Sequence, residues 1–115
     1  MDRRGGTRVR FRRRPTARAG NLLEARLVEL SLSGARITLA ERLPPGSGCT
    51  LTLSPALRSL TLPARLVWSA TVGGEQTPED ERHLPYQSGL DFGRLPAEER
   101  ATLASLLADL SAAAS

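Results

Sequence analysis

Arginine dominates the residues of this chain that could do chemistry, and it is concentrated near the N-terminus. All 16 basic residues are arginine, and nine of them fall within residues 1–26 beside two acidic residues. That segment carries a formal charge of +7 and the remaining 89 residues carry −3, within a total of +4 at pH 7. A basic segment on a mildly acidic body predicts an anionic partner: a nucleotide, a nucleic acid or a membrane surface.

The first candidate site is the segment Arg3-Arg4-Gly5-Gly6-Thr7-Arg8, in which Arg4 and Arg8 lie four residues apart beside Arg3. A guanidinium offers a planar fork of donors that matches phosphate oxygens or the O6/N7 edge of guanine, and it stacks on aromatic faces. A compact guanine nucleotide with two phosphates can use all three modes. The same residues are also consistent with a generic basic tail that is solvated or binds nucleic acid weakly.

The second candidate site is the segment Glu29-Leu30-Ser31-Leu32-Ser33-Gly34-Ala35, between two predicted strands. Gly34 can take a positive φ and lets a ligand approach the backbone closely. Ser31 and Ser33 offer hydroxyl groups, and the Glu29 carboxylate can accept from the N–H edge of a base or hold an arginine. An ordinary hairpin turn would also explain serine and glycine at these positions.

Cysteine and histidine are too few for much other chemistry. Cys49 and His83 each occur once, so a disulfide, a CxxC pair and a histidine-based zinc site all lack partners. Cys49 and His83 could meet in space as a nucleophile pair, but Cys49 stands at the start of a strand pattern and is more typical of a small core residue. With no other acid/base or nucleophile constellation, the sequence predicts a protein that is not an enzyme and uses no cofactor or metal.

The elements that must position these residues are short strands followed by one helix. Alternation of apolar and polar residues predicts strands over residues 9–12, 35–39 and 50–53 and, less regularly, over residues 23–30. Residues 60–68 and 86–92 indicate two further extended strands. Pro63 predicts an edge or a bulge within its strand. Residues 71–85 are polar and predict a solvated loop, and a leucine face after Pro96 predicts the helix. We therefore expect a mobile arm over residues 1–8 and one mainly β domain over residues 9–112, a small antiparallel barrel with a C-terminal helix.

Two of the anionic partners fit the sequence poorly. No run of 18 apolar residues occurs, and no apolar stretch follows the basic N-terminus, so we expect a cytoplasmic protein with no membrane association. A nucleic-acid binder needs aromatic stacking platforms or a recognition helix. The four aromatic residues are scattered and the predicted helix begins with Glu98 and Glu99, so nucleic acid is not the expected partner.

Together the two candidate sites resemble the PilZ domain, a bacterial receptor for cyclic di-GMP. That family carries RxxxR in an N-terminal arm, which Arg4-Gly5-Gly6-Thr7-Arg8 matches in full, and (D/N)xSxxG at a strand turn. Residues 29–34 match the second motif at Ser31 and Gly34, with Glu29 in place of Asp or Asn. Residues 62–68, ending in Leu-Val-Trp, and residues 88–92, Ser-Gly-Leu-Asp-Phe, look like two further strands of the family.

The resemblance implies a six-stranded antiparallel β-barrel with a C-terminal α-helix and no catalysis. It implies that the RxxxR arginines contact phosphate and guanine while the arm wraps over the ligand, and that the turn binds from the barrel side. The cyclic di-GMP-binding residues so implied are Arg3, Arg4, Arg8, Glu29, Ser31, Ser33 and Gly34. Arginine just before RxxxR, here Arg3, implies two stacked ligands per chain. The signal would pass to an unidentified downstream effector protein. The alternative is a PilZ-like protein-interaction adaptor without ligand, which the unusual Glu29 favours.

Overall fold

The computed structural model of the protein describes residues 7–20, 23–72 and 77–114. These ranges contain seven strands and one α-helix, with short 3-10 turns at Pro55–Leu57 and Glu79–Glu81. The strands are β1 (Arg8–Arg10), β2 (Thr16–Ala19), β3 (Leu23–Ser31), β4 (Gly34–Leu39), β5 (Gly48–Leu53), β6 (Thr61–Thr71) and β7 (Tyr86–Asp91), and the helix is α1 (Ala97–Ala114).

Six of the described strands form a closed antiparallel barrel, which confirms the expected architecture. The order around the barrel is β3-β2-β5-β6-β7-β4, and pairing of β4 with β3 closes it. The seventh strand, β1, pairs with the end of β3 that β2 leaves free, so that Arg8 lies opposite Ser31 and Arg10 opposite Glu29. The predicted strand over residues 9–12 is therefore displaced, since β1 ends at Arg10.

Leucine and alanine build the core, as the scarcity of aromatic residues predicts. Buried leucines come from almost every wall of the barrel, and α1 contributes leucines to the same core. The core leucines are Leu27, Leu30, Leu39, Leu51, Leu53, Leu57, Leu62, Leu66, Leu90, Leu95, Leu103, Leu106 and Leu107. Each such side chain contributes roughly 1.5–3 kcal/mol by leaving water, so the barrel is a rigid support for what lies on its outer face.

A β-bulge in β3 decides which way Glu29 points. Leu27 and Leu30 both lie in the core although they are three residues apart, which strict alternation does not allow. The pairing with β4 shifts between Leu27 and Glu29, so Val28 is the extra residue. The bulge turns Glu29 to the outer face, and it explains the imperfect alternation of this strand in the sequence.

A second bulge, in β6, shapes the same outer face. The pairing with β7 shifts between Leu66 and Trp68, so Val67 is the extra residue. Leu66 points into the core, whereas the side chains of Val67 and Trp68 are both exposed. Pro63 lies before Arg65, where the β6–β7 pairing begins, and is therefore at a local edge of the sheet, as predicted.

The segment between β6 and β7 is not the wholly solvated loop that its polar sequence predicts. The Glu81 side chain is only 3% exposed, and its carboxylate accepts a hydrogen bond from Arg14 Nη1 at 2.9 Å. Arg26 Nη1 lies 4.0 Å from the same carboxylate and also donates to the carbonyl oxygen of Arg14 at 3.2 Å. This ion-pair cluster ties the β6–β7 connection to the chain just before β2, because a buried carboxylate requires charged partners.

Candidate functional site

A cleft on the outer face of the barrel brings together the described residues of the two sequence motifs. Its volume is about 340 Å³. Five predicted site residues line it: Arg8, Glu29, Ser31, Ser33 and Gly34. The rest of the lining is Ala35, Arg36, Val67, Trp68, Gly89, Leu90 and Asp91. Arg3 and Arg4 lie outside the described residues.

Glu29 stands between two arginines at the centre of this cleft. Its Oε1 accepts a hydrogen bond from Arg36 Nη2 at 2.8 Å, and its Oε2 lies 3.9 Å from Arg8 Nε. The Glu29 side chain is 16% exposed, against 32% for Arg36 and 59% for Arg8. The carboxylate therefore holds Arg36 closely and Arg8 loosely, and Arg8 keeps most of its donors free for an anion.

Ser31 organises the turn between β3 and β4. Its buried hydroxyl accepts hydrogen bonds from the backbone N–H groups of Ser33 and Gly34, both at 3.3 Å, and lies 3.1 Å from Ser33 Oγ. A serine hydroxyl that bonds the backbone two and three residues ahead stabilises a tight turn. Ser33 is exposed, so its hydroxyl is the better placed of the two to meet a ligand.

Gly34 is required for a reason different from the predicted one. Its φ is not positive, which corrects the expectation of a left-handed turn residue. A Cβ at this position would overlap the carbonyl oxygen of Leu90 and come within 3.2 Å of its carbonyl carbon. Gly34 is thus the point at which β4 approaches the backbone of β7, directly opposite Asp91 in the sheet.

Trp68 supplies an aromatic wall to the cleft. Its side chain is 40% exposed, and its indole lies across Gly89 on the neighbouring strand. A Cβ on Gly89 would lie 2.6 Å from Cε2 and 2.9 Å from Cδ1 of Trp68, so any larger residue there would force the ring to shift. Half-exposed indole on a barrel surface is an available platform for a planar base.

Arg36 and Trp68 line the cleft but belong to neither of the two sequence motifs. Arg36 occupies an outward position of an alternating strand, which is a signal for exposure but not for a site. Its pairing with Glu29 depends on the bulge at Val28, which places the two residues opposite each other. Trp68 was recognised only as part of a family-like strand, and its exposure follows from the second bulge.

Other chemistry finds little support in the described part of the chain. No group of three or more His, Cys, Asp and Glu side chains that could hold a metal occurs there. Cys49 is half-buried against the core, and this burial raises the pKa of its thiol, which opposes thiolate chemistry. His83 Nε2 lies 3.2 Å from Glu24 Oε2 at the surface. Within residues 7–20, 23–72 and 77–114, no helix has the length and apolar composition needed to cross a bilayer.

A sequence model of the PilZ domain matches residues 2–109, which is nearly the whole chain. The chain belongs to the PilZ domain family. PilZ domains are generally receptors for cyclic di-GMP, and they act as ligand-binding or adaptor domains. The fold agrees with this membership. A solved tetrameric PilZ domain protein of Xanthomonas campestris, self-assembled via a helical bundle, superposes with a TM-score of 0.60 at 23% identity.

That alignment covers 79% of this PilZ domain but 46% of the Xanthomonas chain, so this chain spans less than half the length of that relative. The likeness is one of fold. No curated protein matches the sequence.

Proposed function

We propose that this PilZ domain is a receptor for cyclic di-GMP that binds its ligand in the cleft on the outer face of the barrel. One observation carries the proposal: residues from two separate sequence motifs, Arg8 and the turn of Glu29 to Gly34, line a single cleft with an exposed tryptophan. The cleft offers a cationic donor, hydroxyl groups, a carboxylate and an aromatic face. A cyclic dinucleotide of guanine needs all four, because it presents phosphates, N–H edges and planar bases.

Each side chain has a defined task in this proposal. Arg8 donates to phosphate or to guanine O6 and N7, and its exposure leaves it free to reorient. The Glu29 carboxylate accepts from a guanine N–H edge, or holds Arg36 in place for the phosphate. The face of Trp68 packs against a base. Arg3 and Arg4, which precede Arg8 in the chain, add the remaining guanidinium groups.

The signal in this proposal is closure of the arm. Residues 1–8 form the arm and residues 9–112 the domain, and the arm folds over the ligand and changes the surface offered to a downstream effector protein in the cytoplasm. Arg8 already pairs with Ser31 in β1, so ordering the seven residues before it costs on the order of 7–14 kcal/mol if they are wholly free beforehand. A micromolar affinity is a net free energy of about 8 kcal/mol after this cost, so the contacts of the ligand must supply on the order of 15–22 kcal/mol in total. Two stacked ligands per chain supply further contacts, with Arg3 as the extra stacking partner.

Calorimetry with the intact chain tests the function. We expect cyclic di-GMP to bind at micromolar concentration or below, and GMP and single-stranded DNA to bind at least about tenfold more weakly, since neither presents two phosphates and two guanines in one compact unit. Trp68 is the only tryptophan, so its fluorescence reports the same cleft. Equal binding of all three compounds, or no heat with cyclic di-GMP, contradicts the receptor function. In the same titration, a plateau at one ligand per chain in both wild type and Arg3→Leu contradicts the stacked pair.

The second candidate function is a protein-interaction adaptor that binds no ligand. The observation that favours it is the hydrogen bond between Glu29 and Arg36, which occupies one cation of the cleft without any ligand. A glutamate is one methylene longer than the family's aspartate, and here that length spans the distance to Arg36.

Substitutions of Glu29 distinguish the two functions. For a receptor, we expect Glu29→Asp to bind cyclic di-GMP as well as or better than wild type, because it restores the residue of the family motif. Glu29→Ala is expected to bind about tenfold more weakly, since it removes an acceptor of charge-assisted hydrogen bonds. Identical affinities in calorimetry would mean that Glu29 takes no part and that the turn binds through Ser31, Ser33 and Gly34. Failure of wild type and both variants to bind would leave the adaptor function.

A further inference from the structure

A second cavity on the same face of the barrel has no role in the proposed function. Its volume is about 420 Å³, and it lies between the segment after β1, strands β3, β4 and β7, and the β6–β7 connection. Three arginines line it, Arg10, Arg14 and Arg36, and no acidic residue is among the described residues of its lining. Arg36 also lines the first cleft, so the two cavities share one guanidinium.

The charges around this cavity do not cancel. Arg14 is paired with the buried Glu81 at 2.9 Å, and Arg36 is paired with Glu29 at 2.8 Å. Arg10 is exposed and forms no ion pair with any described residue. The cavity therefore carries a surplus positive charge from Arg10, next to two guanidiniums that each retain further N–H donors.

The wall of the cavity is fixed by buried groups. Glu81 Oε1 accepts from Arg14 Nη1 and lies 3.4 Å from the hydroxyl of Thr38, which also lines the cavity and is 2% exposed. Buried Val28 and Leu84 and half-buried Phe11 supply apolar surface. A cavity of this volume, with convergent polar groups beside a smaller apolar surface, is large enough to hold a small ligand. The guanidiniums of Arg14 and Arg36 are held by their carboxylate partners, which lowers the cost of binding, whereas Arg10 is ordered by the ligand.

We propose that this second cavity binds a small phosphate monoester. Arg10 and Arg36 donate charge-assisted hydrogen bonds to the phosphate, and the apolar side chains cover the organic part of the ligand. Because Arg36 belongs to both cavities, a ligand in one changes the affinity of the other, and by linkage the effect is reciprocal. Arg10 and the apolar wall have no task in the proposed function, and Arg36 can donate here whether or not the first cleft binds cyclic di-GMP, so the second site does not depend on that function.

The test is a titration of the intact ¹⁵N-labelled chain with adenosine 5′-monophosphate (AMP), followed by NMR, with adenosine as the matched ligand without phosphate. Two variants separate the cavities, since Arg10 lines only the second and Arg8 only the first. We expect Arg10→Gln to weaken AMP binding by about tenfold or more and to leave cyclic di-GMP affinity unchanged. We expect Arg8→Gln to weaken cyclic di-GMP binding by about tenfold or more and to leave AMP affinity unchanged. Both residues are exposed, so both variants are expected to fold.

Three results would overturn the second site. If AMP does not bind at millimolar concentration, or binds no more tightly than adenosine, the cavity does not recognise phosphate. AMP binding that weakens as much in Arg8→Gln as in Arg10→Gln places the nucleotide in the first cleft. If cyclic di-GMP fails to bind while AMP behaves as expected, the receptor function is wrong and the second site stands.

Discussion

Simultaneous replacement of Arg4 and Arg8 by alanine is expected to abolish tight binding of cyclic di-GMP while leaving the melting temperature of the free protein nearly unchanged. Each lost charged donor to phosphate or guanine costs about 1.5–3 kcal/mol, which is about 10- to 150-fold in affinity. The two losses together weaken binding by about 100-fold or more if they are independent. Among the described residues, the free protein loses the loose contact of exposed Arg8 with Glu29 at 3.9 Å, and such contacts contribute little to stability.

The control for this experiment removes the same charge from the same basic segment. Arg12 and Arg13 are exposed and line neither cavity, so the double alanine variant of these two residues tests whether binding follows net charge alone. We expect it to bind within about threefold of wild type at physiological salt, where exposed charges beyond a Debye length are screened. Wild-type affinity in the Arg4/Arg8 variant, or equal weakening in the two double variants, would refute the assignment of these arginines to the site.

The second large effect concerns stability and is expected for Gly34→Ala. The added Cβ would overlap the carbonyl oxygen of Leu90, a backbone atom that moves only if β7 moves with it. Forcing extra atoms into a packed site costs about 1–3 kcal/mol, and a backbone obstacle places this change at the upper end of that range. We expect the melting temperature to fall by roughly 10 °C or more. The cleft is expected to open as well, because Gly34 and Leu90 both line it.

Gly48→Ala is the matched control, since Gly48 also begins a barrel strand. A Cβ there would meet nothing within 4 Å, and its φ is not positive. We expect this variant to unfold at the wild-type temperature or slightly above it, because alanine restricts the unfolded chain. Thermal denaturation followed by circular dichroism compares the two variants. Equal stability of Gly34→Ala and wild type would show that β4 and β7 are not held at this close approach.

Several features of this protein follow from its sequence alone, because they depend on near neighbours in the chain. Alternation and extended apolar segments together locate five of the barrel strands, and a leucine face after Pro96 locates α1. Strand β2 is not predicted by the sequence. It has only four residues, and its inward side chains, Ala17 and Ala19, are too small to give a clear hydrophobic pattern. The two motifs likewise predict Arg8 and the turn of residues 29–34 as site residues, and in the structure these residues line one cleft.

Only the tertiary structure decides how those residues face one another. Whether Glu29 points into the core or onto the surface depends on one extra residue, Val28, and therefore on which β4 residue each β3 residue meets. The same holds for Trp68, which the bulge at Val67 turns outward against Gly89. Register between strands is set by long-range pairing and by packing of the core, and a shift of one residue reverses every side chain. The neighbouring residues in the sequence do not determine which residue lies opposite on the next strand. The place of Arg36 in the cleft, the second cavity and the need for glycine at position 34 are therefore evident only in the closed barrel.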